Sequence, residues 1–144
     1  MMILRYLLRL RLCRKLCSAK DFFDQIYDPS IDEWSQFVTL TGFRQSFCAV
    51  VSNFQDEIFL VGGIDQNNER KRLESLNLTT MEWTRLADMN ANRSSLACAR
   101  LGDGLIASGG WGDLEGPIDT ALAPVRTVEY YDPASGTQFS ISPF

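Results

Sequence analysis

The residues of this 144-residue chain best placed to do chemistry lie between Trp111 and Pro124. There Asp113, Glu115 and Asp119 are set among Trp111, Leu114, Ile118 and Leu122. Two nearby carboxylates can divide general acid and base roles, and several oxygen donors can hold a hard cation. The setting argues against both. Acids in a loop rich in Gly and Pro are usually solvated, and these three are spaced irregularly for a calcium loop. Recognition remains, because an acidic loop with one aromatic anchor suits a basic peptide. Trp111, Asp113, Leu114, Glu115 and Asp119 are therefore the candidate partner-binding residues. Arg70 and Arg72 join them, since the shorter loop 64–72 holds the equivalent place 47 residues earlier and its basic trio can pair with the acids. The plainer alternatives are a variable insertion with no partner, and a trio that only keeps its own loop solvated.

Other reactive groups are scarce. The chain has no histidine, which removes the commonest general base and the commonest metal ligand together. Cys13 and Cys17 lack the C-x-x-C spacing of redox or zinc sites. Cys48 and Cys98 sit in apolar runs and are expected to be buried free thiols, which favours a reducing compartment. Gly102-Asp103-Gly104 reads as a hairpin turn, with no helix after it to receive a phosphate. No catalytic residue, metal site or cofactor is expected.

The elements that position these residues repeat. Trp34 recurs as Trp83 and Arg44 as Arg93, each 49 residues later; Gly62-Gly63 recurs as Gly109-Gly110. Tyr27-Asp28-Pro29 aligns with Leu76-Asn77-Leu78 and with Tyr131-Asp132-Pro133. A period near 50 marks one supersecondary unit used several times. Within a unit, Ser46–Val51 and Ile58–Val61 are apolar runs expected to be strands buried on both faces. Leu73–Leu78 and Glu82–Leu86 alternate as half-buried strands do. The next unit follows the same order, with strands at 96–99, 105–108, 127–131 and 137–141. Residues 24–43 supply the last two strands of an earlier unit.

Residues 1–20 stand apart. They carry six bases and no acid, with Leu4, Leu8, Leu12 and Leu16 along one helical stripe. A basic helix or an unstructured segment is expected. It is either the remnant of an upstream helical region, a mitochondrial presequence or a membrane-surface helix. The other 124 residues hold 8 bases against 18 acids, which disfavours binding to a phosphate backbone. No apolar stretch reaches the length of a transmembrane helix.

Taken in order, these motifs resemble the kelch repeat: an arginine before the first strand, two glycines ending the second, Tyr-Asp on the third and tryptophan on the fourth. They are Arg44, Gly62, Gly63, Asn77 (for Asp) and Trp83, then Arg93, Gly109, Gly110, Tyr131, Asp132 and Phe139 (for Trp). Trp34 is the tryptophan of the earlier unit. The resemblance covers about residues 24–144 and is closest to the kelch domain of the kelch-like proteins that carry BTB and BACK domains. It implies an all-β partial β-propeller of two four-stranded blades, 44–87 and 88–144, preceded by a half blade at 24–43. Trp34 and Trp83 would then wedge between blades, and Arg44 and Arg93 would hold loop carbonyls or carboxylates.

Two and a half blades do not close a ring. The missing blades are expected from a longer chain or another copy. The resemblance implies a protein-interaction module in the cytoplasm that binds a protein or peptide client on a loop face. One version is the client-recognition part of a ubiquitin-ligase substrate adaptor, although neither BTB nor BACK sequence is present here. Alternatives are an actin-binding kelch protein and a truncated propeller with no function of its own. Copper-dependent oxidases of this fold need histidine ligands, which this chain lacks, and a sugar mutarotase reading has no residues to support it. Mitochondrial localisation is the alternative should residues 1–20 act as a presequence.

Overall fold

The computed structural model describes residues 23–28, 30–39, 44–52, 57–65, 71–113 and 122–141. The expectations for residues 1–20 lie outside them, as does residue 70 and most of the acidic loop. The chain divides into two units, Met1–Phe43 and Arg44–Phe144.

In the first unit, β1 (Phe23–Asp28) and β2 (Glu33–Thr39) form an antiparallel hairpin with an irregularity between Asp24 and Gln25. Asp32, in its turn, has a left-handed backbone conformation, which aspartate tolerates better than most residues.

The second unit holds two four-stranded antiparallel sheets. After the short β3 (Arg44–Gln45), the first sheet runs β4 (Cys48–Val51), β5 (Glu57–Val61), β7 (Leu73–Asn77) and β8 (Trp83–Arg85). Between β5 and β7, β6 (Ile64–Asp65) pairs with β3. The second sheet runs β9 (Ala97–Leu101), β10 (Gly104–Ser108), β13 (Val128–Asp132) and β14 (Thr137–Ile141). Each is a simple antiparallel meander: short turns join its first to second and third to fourth strands, while residues 62–72 and 109–127 make longer connections between second and third. The structure adds what the sequence reading left as loop: β11 (Trp111–Asp113) and β12 (Leu122–Pro124) pair as a ribbon between β10 and β13.

The turn after the third strand is built alike in both blades. Asn77 Oδ1 accepts the amides of Thr79 and Thr80, and Asp132 Oδ1 accepts that of Ala134. Side-chain acceptors of this kind hold a turn whichever of Asn or Asp supplies them. The left-handed position of that turn is Met81 in the first blade and Gly136 in the second.

The core lies between the blades. Phe59, Val61 and Leu73 of the first meet Leu105, Ala107 and Tyr131 of the second, with Met89 and Leu96 closing the cluster. Val61 and Leu73 are wholly buried, and each such side chain contributes about 1.5–3 kcal/mol. The first strands, β4 and β9, are only half-buried, and each follows a left-handed residue, Ser46 and Ser95.

Two expectations need correction. Cys48 and Cys98 are not free thiols: they form a disulfide between β4 and β9, with Cα atoms 5.9 Å apart. The reason lies in the register. In a 49-residue repeat their separation of 50 is one residue too long. Because strand side chains alternate, that extra residue places them on opposite faces of equivalent strands, and those faces meet between blades. Trp34 lies on β2 of the first unit. Trp83 is half-buried, since β8 is the outermost strand of its blade and only one side of it is covered.

Candidate functional site

A buried polar cluster surrounds Arg93. Its guanidinium is wholly buried and faces the Glu129 carboxylate at 3.1 Å. The same group donates to the carbonyls of Gly109 and Thr127 at 3.0 and 2.8 Å and to the Thr127 hydroxyl at 2.7 Å. Glu129 also accepts the backbone amides of Asn90 and Ala91 at 2.6 and 3.0 Å. A buried ion pair is tolerated only when such bonds satisfy its remaining donors and acceptors. In the preceding blade Arg44 meets Glu74 at 3.2 Å, and Arg72 also donates to Glu74. The expectation for the arginines was carbonyls or carboxylates, and Arg93 takes both. The glutamates were missed. Their signal was available, since each is the second residue of the third strand of its blade.

This cluster is a clamp rather than a reactive centre. It fixes Arg93, and the next residue, Ser94, holds the base of the β11–β12 ribbon. Ser94 and Trp111 exchange both backbone hydrogen bonds at 2.8 Å, and the Ser94 hydroxyl donates to the Trp111 carbonyl. Val125 donates to the Gly110 carbonyl on the returning strand. Trp111 pairs with Pro124 and Asp113 with Leu122. Gly112 faces the other way: a Cβ there would stand 2.0 Å from the Asn92 carbonyl oxygen. The ribbon therefore lies with its glycine face against residue 92 and turns Trp111, Leu122 and Pro124 outward. Trp111 is 48 % exposed and Leu122 42 %. Arg126 is exposed just beyond.

Of the candidate partner-binding residues, Trp111 is thus anchored and outward-facing, and Asp113 has its backbone in the ribbon. Leu114, Glu115, Asp119 and Arg70 lie outside the described residues. Arg72 is drawn inward to Glu74, with its side chain only 21 % exposed. It is placed to neutralise that buried carboxylate. Among the described residues no group of three or more His, Cys, Asp or Glu is placed to hold a metal ion. No helix among them is long and apolar enough to cross a membrane.

The two blades thus share a scaffold of arginine, paired glycines and turn acceptor in one order. Comparison with known proteins agrees. Residues 46–90, most of the first blade, match the family model of the Kelch motif. The first blade carries a Kelch motif. The chain is also 35 % identical over 75 residues to the Kelch-like protein terF of Aspergillus terreus (strain NIH 2624 / FGSC A1156). That match covers 47 % of this chain but 16 % of the relative, so the chain spans a small part of that protein's length. The matched meander is a kelch blade, and kelch repeats generally act as protein–protein interaction modules.

Proposed function

We propose that this kelch chain binds a protein segment through the β11–β12 ribbon, with Trp111, Leu122 and Pro124 as the apolar contact. The carrying observation is the exposed Trp111 side chain on a backbone pinned to the buried Ser94. Exposed aromatics held on a rigid base lose little entropy on binding, which is why they anchor interfaces. The acidic residues Glu115 and Asp119 that follow in sequence suit a partner segment with basic residues beside an apolar one.

The test uses the wild-type chain and a Trp111→Ser/Leu122→Ser double variant as parallel baits in cell extract, quantified by mass spectrometry. Proteins retained saturably by the wild type and lost by at least tenfold with the variant support the reading. Equal retention by both baits sinks it. The narrower role, client recognition within a ubiquitin-ligase adaptor, calls for a cullin in the same wild-type fraction; actin there instead favours the actin-binding reading.

A further inference from the structure

The blade interface contains a covalent link that the repeat itself does not require. By repeat alignment the position equivalent to Cys48 is Ala97, and that equivalent to Cys98 is Ala49. Alanine therefore serves at each place in the other blade. The pairing registers confirm this equivalence: Cys48 pairs with Val61 as Ala97 pairs with Ser108, and Ala49 with Leu60 as Cys98 with Ala107. Each cysteine is thus an addition to the blade plan, and the two additions face each other. Both are half-buried at the edge of the core cluster, not sealed within it. Close beside them lie the backbone bonds that join the blades, Gly63 N–H to the Arg93 carbonyl and Ser95 N–H to the Ser46 carbonyl, at 2.9 and 2.8 Å.

We propose that Cys48 and Cys98 form a thiol-exchange latch, closed by a low-molecular-weight disulfide and opened by the corresponding thiol, that sets how firmly the two blades hold together. Oxidised glutathione is the reactant class. The thiolate of one cysteine attacks a sulfur of the oxidised glutathione, forming a mixed disulfide and expelling one glutathione thiolate. The thiolate of the other cysteine then attacks the protein sulfur of that mixed disulfide and expels the second glutathione. Two protein thiols become one disulfide, two protons are released to the departing thiolates, and two electrons pass to the glutathione pair. Reduction reverses each step. Since the link joins strands of different blades, its state acts on the interface and leaves each meander's own hydrogen bonds intact.

The experiment is a redox titration of the full chain against oxidised and reduced glutathione. Linked peptides are mapped by mass spectrometry and amide exchange is read at Gly63 and Ser95. A Cys13→Ser/Cys17→Ser background removes the other two thiols. The expected result is a Cys48–Cys98 linked peptide in the oxidised chain, with both amides exchanging at least tenfold more slowly than in the reduced chain. The melting temperature should fall by roughly 10 °C or more on reduction, given the few degrees per kcal/mol typical of a domain this size. Cys98→Ala should melt at one temperature in both buffers, matching the reduced parent. Cys48 linked to Cys13 or Cys17 in the wild-type chain, or amide exchange unchanged by reduction, overturns the proposal. The exchange measurement on the wild-type chain needs no variant, so a substitution that impairs folding does not protect the idea.

Discussion

Arg93 and Glu129 show how much one buried pair can hold. The guanidinium closes the distance between the loop ahead of β9, the glycines after β10 and the start of β13. Neutralising one partner leaves the other charge buried and uncompensated. Glu129→Gln is therefore expected to destabilise the chain by about 3–5 kcal/mol, read as a lowered urea midpoint at unchanged slope. A loss below about 1 kcal/mol would mean that water reaches the arginine. Asp132 acts more locally. Its hydrogen bonds from the Ser135 hydroxyl and from the Ala134 amide hold its carboxyl below the ordinary value of 3.8. The folded value is depressed, so the stabilisation is present above pH 3.8 and is lost as pH falls through the lowered value. Asp132→Asn keeps an acceptor for the Ala134 amide, as Asn77 does for Thr79, but removes the charge. The acid limb of a stability–pH curve should be shallower for this variant than for the parent; superimposable limbs would show that Asp132 contributes nothing to it.

At the scale of elements, what was legible was what local pattern dictates. Apolar runs, polar turns and the paired glycines located the strands of both blades to within a residue or two. The β11–β12 ribbon was not legible. Trp-Gly-Asp and Leu-Ala-Pro have little strand propensity, and they pair because Ser94 and Gly110 supply the backbone partners at its base. Trp83 shows a different failure. Its place on the fourth strand was legible, but how much of a side chain on that outer strand is covered depends on what packs against it, which local pattern does not show. Its truncation to alanine consequently removes a half-covered side chain, and the earlier expectation of a fully buried wedge does not apply. The glutamate partners of the arginines were missed because hydrophobic periodicity ignores a charged residue in an otherwise apolar strand.

At the scale of the whole molecule, the two blades differ in what covers them. Gly62 is left-handed, and a Cβ there would lie 2.4 Å from the Arg93 carbonyl oxygen of the next blade. Its repeat partner Gly109 is also left-handed but meets nothing within 4 Å. The outward face of the second blade repeats the contrast: Ile106 and Val128 are half-buried where their equivalents Phe59 and Leu73 are buried. Gly109→Ala is expected to incur only the backbone strain of a left-handed residue, about 1 kcal/mol. Gly62→Ala adds a clash at the blade interface and should cost at least 2 kcal/mol more by urea unfolding. Equal losses at the two positions would show that the interface gives way at Gly62 at no cost. The disulfide works at this scale too. Closing a loop of about 50 residues restricts the unfolded chain by about 4 kcal/mol on the entropic account, similar in size to the loss expected when Glu129→Gln strands the buried arginine.

The amino-acid sequence by itself determined the repeat, the order of strands within each blade, the turns and the kelch resemblance. All of these follow from neighbours close along the chain. Only the tertiary structure decided which faces meet. The separation of 50 between Cys48 and Cys98 was visible from the start, yet it meant nothing until two blades were stacked. Alternation along a strand assigns each side chain to one of two faces. Packing of the next blade decides which face becomes interior, and so turned two apparent free thiols into a link between blades.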